Sequence, residues 1–171
     1  MVDASYTDGA QGGALAIRAE TPDELPILSA LCQDAVLTVG DIRYDGTART
    51  LALLTSRFRW EDLADRAPAF GLASAASAED ADRPYERVRA ILAVRDVTAV
   101  RSDGIGREDK DTVLSLLSLG WTPGPDGTGT LVLTFAGDGA LAVDCECLSV
   151  DLRDVNRPHR AVSGAMPRHD V

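Results

Sequence analysis

The 171-residue chain is about the size of one domain, long enough to bury a core without help from disulfides or a metal. Hydrophobic residues make up 45% of it, which excludes wholesale disorder. With 27 acidic against 17 basic side chains the net charge is -10, so nucleic acid and anionic membrane surfaces are excluded as expected partners, and no apolar run reaches the roughly 20 residues of a membrane helix.

In chain order, residues 1–13 are polar and glycine-bearing without periodicity and read as a flexible tail. They carry Asp3 and Asp8, no basic start and no continuous apolar stretch, so they do not read as a secretory signal. Leu15 and Ile17 alternate with small or polar residues and predict a short strand. Thr21-Pro22-Asp23-Glu24 is a strong helix start, because a threonine oxygen can cap an amide three residues on and Glu24 can reach back. The helix is expected to run to about Gln33, with Leu25, Leu28, Leu31 and Cys32 as its packing stripe, while Pro26 argues that its regular part begins near that residue.

Residues 36–44 and 50–60 predict a hairpin around Asp45-Gly46. The run 71–84 is rich in Ala, Ser and Asp and short of large apolar groups; it reads as a mobile loop, with a short solvent-facing helix as the alternative. Strands are expected over 85–101, 112–121, 129–136 and 139–152, the last two joined by the tight turn Gly137-Asp138-Gly139. Residues 154–171 read as a second flexible tail, which leaves 14–153 as a single α+β domain.

The strands fall into two similar triplets. Val36-Leu37-Thr38-Val39 aligns with Val113-Leu114-Ser115-Leu116, Ile42 with Leu119, Tyr44 with Trp121, and Thr50-Leu51-Ala52-Leu53 with Thr130-Leu131-Val132-Leu133. In the third strand of each set the alternation slips by one residue, near Arg95-Asp96 and near Leu148-Ser149, as at a β-bulge. Either the two halves are duplicated three-stranded units, or two amphipathic hairpins align by pattern alone.

The segments QDAVLTVGD, RFRWE and TLVLTFAGDGALAVDCECL resemble those of a small domain-of-unknown-function family of alphaproteobacterial proteins, over most of residues 15–153. These are strand and turn sequences. The resemblance therefore implies a shared fold and no particular activity.

Residues that commonly run catalysis are scarce. His159 and His169 both fall in the C-terminal tail, where nothing is expected to hold an imidazole in place, so a Ser-His-Asp or Cys-His arrangement is not expected. Cys145-Glu146-Cys147 puts two thiols on one face of a strand; with Cys32 as the remaining cysteine, small core residues are favoured over a metal site, and three free thiols suit the cytoplasm. The acidic run 103–111 lacks the spacing of a calcium loop and reads as solvated, and its glycines match no nucleotide motif. In Arg57-Phe58-Arg59-Trp60 the alternation puts the aromatics on one side and the arginines on the other. Arg57 and Arg59 are the candidate binding residues, able to hold a carboxylate, a phosphate or an acidic partner; the alternative is surface pairing with Glu61, Asp62 or Asp65.

The expectation is a mainly antiparallel α+β fold, barrel-like or sandwich, of six or seven strands with one N-terminal helix on the sheet. The expected function is non-catalytic binding or an accessory role in the bacterial cytoplasm, with no cofactor and no metal, directed at an unknown protein or a small anionic ligand. The alternative is a ligand-binding protein or enzyme that uses arginine and carboxylate groups in a cleft; a concave pocket with converging polar groups favours that reading, a flat apolar patch a protein partner.

Overall fold

In the computed structural model of the chain the described residues are 14–60 and 86–155, with the backbone alone of 159 and 160. The expected loop 71–84, the tail 1–13 and most of the tail 154–171 lie outside them. The strands are β1 (Ala16–Ala19), β2 (Ala35–Thr38), β3 (Ile42–Asp45), β4 (Thr50–Phe58), β5 (Glu86–Val94), β6 (Val97–Asp103), β7 (Val113–Pro123), β8 (Gly129–Phe135), β9 (Ala140–Cys145), β10 (Val150–Asp154) and the short β11 (His159–Arg160). They form one antiparallel sheet in the order β1-β10-β5-β4-β2-β7-β8-β9-β6, with β3 on β4 and β11 on β5. The path is open rather than a closed barrel, and with one helix beside the strands the architecture is mainly antiparallel α+β.

The strand count exceeds the expected six or seven because three of the expected strands are broken. Residues 85–101 divide at Arg95-Asp96 into β5 and β6, and 139–152 divide at 146–149 into β9 and β10. At each break the chain leaves one set of partners for another: β5 lies beside β10, and its continuation β6 lies beside β9. Asp96 takes a left-handed φ of 56° at the first break. The slip in alternation therefore marks a crossing between the two halves rather than a simple bulge. Residues 36–44 are interrupted by a 3-10 turn at Val39–Asp41, whose Asp41 carboxylate accepts the N–H and hydroxyl of Thr38.

The two triplets repeat in register. Ile42–Leu53 and Tyr44–Leu51 match Leu119–Leu133 and Trp121–Leu131, and Leu53–Leu92 and Leu51–Val94 match Leu133–Leu141 and Leu131–Val143. The outer pairs match too: Val94–Val150, Ala93–Asp151 and Leu92–Leu152 correspond to Val143–Val100, Ala142–Arg101 and Leu141–Ser102. In the middle, β2 and β7 pair about Leu37–Leu114, so that Val36–Ser115 mirrors Thr38–Val113. Apart from β1, the strand path thus reads the same from both ends. The triplets differ where the 3-10 turn breaks the first; β7 runs on there, with a register shift between Leu116 and Ser118.

Strict period-two alternation builds the core. Val88, Ala90, Leu92 and Val94 of β5, Leu131, Leu133 and Phe135 of β8, and Leu141, Val143 and Cys145 of β9 are all buried, at about 1.5–3 kcal/mol for each large apolar side chain. Helix α1 (Leu25–Cys32) adds Leu25, Leu28 and Cys32 and turns Ile27 outward. It begins at Leu25 with Pro26 in its first turn, while the Glu24 carboxylate reaches back to the N–H groups of Glu20 (2.8 Å) and Thr21 (3.1 Å). Thr21 itself does not cap the helix; the proline moves the start one turn on.

Candidate ligand-binding cleft

The two candidate arginines do not share an exposed face. On β4 the inward face is set by Leu51 and Leu53 and continues through Thr55 to Arg57, which is 0% exposed. Its guanidinium donates from Nε to Asp154 Oδ1 (2.9 Å) and from Nη2 to Oδ2 (3.0 Å), and from Nη1 to the carbonyl of Phe58 (3.0 Å). Asp154 Oδ2 also accepts the N–H of Leu15 (3.0 Å). Arg57 is therefore held in a buried bidentate pair joining β4, β10 and the residue before β1. The expected outward arginine faces inward. Phe58 is buried as well, under the Arg87 guanidinium 3.8 Å from its ring centroid. Arg59 pairs with Glu86 (2.7 Å), and the Trp60 indole N–H donates to the Gln33 carbonyl (3.0 Å).

The cysteines separate. Burial pushes the Cys32 thiol up to about 12, Arg57 working against the shift and Asp154 with it, and burial is likewise the main cause that raises Cys145 to about 11. Cys147, expected beside Cys145 on a strand face, is exposed in the crossing between β9 and β10, where its thiol donates to Asp96 Oδ2 (3.3 Å). Among the described residues no group of three or more His, Cys, Asp or Glu side chains is placed to hold a metal ion. No helix among them is long and apolar enough to cross a membrane.

A cleft of about 390 Å³ lies elsewhere, between β3 and β6. Its apolar lining is Val39, Ile42, Leu51, Val100, Ile105 and Leu141, and its polar lining is Arg43, Tyr44, Ser102, Arg107 and Lys110. Three cations and no carboxylate thus converge on an apolar floor, in a chain whose net charge is -10. Among the described residues neither Arg43 nor Lys110 forms a salt bridge, and Arg107 Nε donates to Ser102 Oγ (3.1 Å). The loop 104–112 is tied to the 3-10 turn by Gly40 N–H to Lys110 O (2.9 Å) and Val39 N–H to Thr112 O (3.0 Å). These bonds bring Lys110 to the cleft wall. The acidic run 103–111 thus also supplies two cations to the cleft, Arg107 and Lys110.

The volume and the mixture of apolar floor with a few convergent polar groups are those of a small-ligand site. Arginine and lysine only donate hydrogen bonds and are cationic, so the complementary group is a hydrogen-bond acceptor that carries negative charge. Comparison with curated proteins and with solved structures finds no significant match. The family model described as "Protein of unknown function (DUF2948)" matches residues 15–169, nearly the whole chain, including every element that lines the cleft. The chain belongs to the DUF2948 family.

Proposed function

We propose that this is a non-catalytic binding protein of the cytoplasm whose cleft between β3 and β6 receives a ligand bearing an anionic group on an apolar body. The observation that carries the reading is the convergence of Arg43, Arg107 and Lys110 on the floor made by Ile42, Leu51, Val100 and Leu141. A chain with a large negative charge repels anions at long range, so cations gathered at one concavity give that place a local affinity the rest of the surface lacks. The lining groups hold and orient an anion. Three free cysteines suit a reducing compartment.

The test is a fluorescence titration with 8-anilinonaphthalene-1-sulfonate, whose sulfonate and fused rings match the two halves of the cleft. Octanoate is expected to displace it and octylammonium is not. Replacing Arg43→Ala and Lys110→Ala together is expected to weaken the dye about tenfold or more, the equivalent of at least one charge-assisted contact. Equal displacement by both amphiphiles, or unchanged dye affinity in the variant, overturns the reading.

A further inference from the structure

The repeat assigns the cleft a counterpart in the other half, and that counterpart is occupied. By the matched registers, β10 corresponds to β6 and the second part of β7 to β3. The outer edge of β10 is covered by β1, with Ala19, Arg18, Ile17 and Ala16 opposite Val150, Asp151, Leu152 and Arg153. The chain then turns into α1, where Ser29 Oγ accepts the N–H of Leu119 (2.9 Å), the counterpart of Ile42 on the cleft wall. On β6 the equivalent residues, Val100 to Asp103, form the end of the strand path with no strand outside them among the described residues.

The open edge is in hydrogen-bonding phase for a further strand. Phe135 N–H donates to Gly139 O (2.8 Å), so 135 and 139 are a hydrogen-bonded pair, and alternation along β8 and β9 puts Leu133–Leu141 and Leu131–Val143 in the same class. Ala142 and Ala140 of β9 therefore bond to Arg101 and Asp103, and the N–H and C=O of Val100 and Ser102 turn to the open side. The covered end agrees: Asp154 N–H donates to Leu15 O (2.8 Å), which puts Leu152 and Val150, the counterparts of Ser102 and Val100, in bonding position to β1.

We propose that the β6 edge and the adjoining cleft bind an extended acidic peptide, added as an antiparallel strand along Val100–Asp103 in the way that β1 is added along β10. The inference rests on the anion-binding reading of the cleft and names its ligand class. Charge selects the occupant. At the covered end Asp151 clamps Arg18 of β1 (2.6 Å) and Arg95 (2.6 Å). Arg101, which already pairs with Asp144 (2.8 Å), stands in the place of Asp151, so a carboxylate on the strand opposite it, where β1 carries arginine, is its second partner as Arg18 and Arg95 are the two of Asp151. Side chains opposite Val100 and Ser102 face the apolar floor, as Ile17 and Ala19 face the core opposite Leu152 and Val150. Beyond the strand, the chain of the partner enters the cleft and presents carboxylates to Arg43, Arg107 and Lys110. A second copy of this chain is disfavoured, since edge-to-edge pairing sets the two cationic rims beside each other.

The probe is a fluorescently labelled peptide, Ala-Leu-Ala-Ile-Glu-Ala-Glu, which is the β1 segment with glutamate in the place of its arginine. Its controls are the unaltered arginine peptide and the glutamate peptide N-methylated on alternate residues to remove the edge donors. The full-length chain is expected to bind the glutamate peptide saturably at one site. N-methylation and Ser102→Pro are each expected to weaken it about tenfold or more, as for one or two lost hydrogen bonds, and the arginine peptide is expected to bind more weakly still. Ser102→Pro removes an N–H that faces the open side, where proline is tolerated; because Ser102 also lines the cleft and its hydroxyl accepts from Arg107, its folding is checked by circular dichroism and urea unfolding rather than by the dye. Equal binding of the N-methylated peptide overturns strand addition whatever the variant does. Dye binding with no peptide binding overturns the peptide inference and leaves the anion site standing; loss of both in the wild-type chain overturns the site itself.

Discussion

At the β10 end of the strand path, Asp151 holds Arg18 of β1, α1 follows onto β7 at Leu119, and Asp154 meets Arg57 in the core. At the β6 end the corresponding positions carry Arg101, an edge at Val100 and Ser102 with no strand outside it among the described residues, and Gly104 packed against the 137–139 turn. The matched registers carry Arg57 onto Gly137 and Asp154 onto Gly104. One end is closed by a buried ion pair and an added strand; at the other, glycines stand in the place of that pair and Ile105 packs against the turn. Matching pairing geometry thus ends in a covered strand at β10 and, among the described residues, in a strand with no further neighbour at β6.

The comparison is broken most directly at the buried pair. Asp154→Ala is expected to cost about 3–5 kcal/mol in urea denaturation, because it removes the bidentate Asp154 carboxylate from a fully buried guanidinium. Replacing both partners together, Arg57→Met with Asp154→Leu, is expected to recover most of that loss. A single-variant cost under about 1 kcal/mol, the value for an exposed pair, contradicts the role assigned to this pin.

At the open end the expected effect is smaller. Gly104 has a φ of 64°, and a Cβ there sits 2.7 Å from the Asp138 carbonyl oxygen, so Gly104→Ala is expected to cost about 1–3 kcal/mol by the same measurement. Ser29→Ala tests the seat of α1: it strands the Leu119 N–H at a half-buried place, for an expected loss of about 1 kcal/mol in thermal or urea unfolding.

The weakest effect is a pH dependence. Burial opposes ionisation of Asp151, but hydrogen bonds from Arg18 and Arg95 outweigh it and hold the carboxyl below its ordinary value of 3.8. A depressed folded-state pKa stabilises the fold above 3.8, and that contribution disappears as pH falls through the folded value. Asp151→Asn is expected to flatten this part of the acid limb in pH-dependent denaturation.

Much of this frame was legible in local pattern. Alternation in residues 129–136 and the turn Asp45-Gly46 predicted strands where they stand, and the slips near Arg95-Asp96 and Leu148-Ser149 located both crossings, although the second opens earlier, at Glu146. Arg57 was misplaced because charge was allowed to outvote period: the face through Leu51 and Leu53 continues to Arg57, and its partner Asp154 lies 97 residues away. The cleft was not legible at all. Ile42, Arg43, Leu51, Val100, Lys110 and Leu141 meet only because β3 and β6 are brought together by strand order, which no local pattern encodes.

The two crossings also govern how the chain reaches this state. Because β6 belongs to the first triplet yet pairs in the second, and β10 does the reverse, each half borrows its end strand from the other. During synthesis the outer edge of β5 stays unpaired until residues 150–154 have left the ribosome, and an exposed strand edge is a template for association between chains. Contacts of such long sequence separation require loop closure before they are rewarded, which places folding in the slow, millisecond-to-second range of non-local β topologies. A cut between β6 and β7 would accordingly release two fragments, neither able to complete its own sheet, that regain structure only by finding each other.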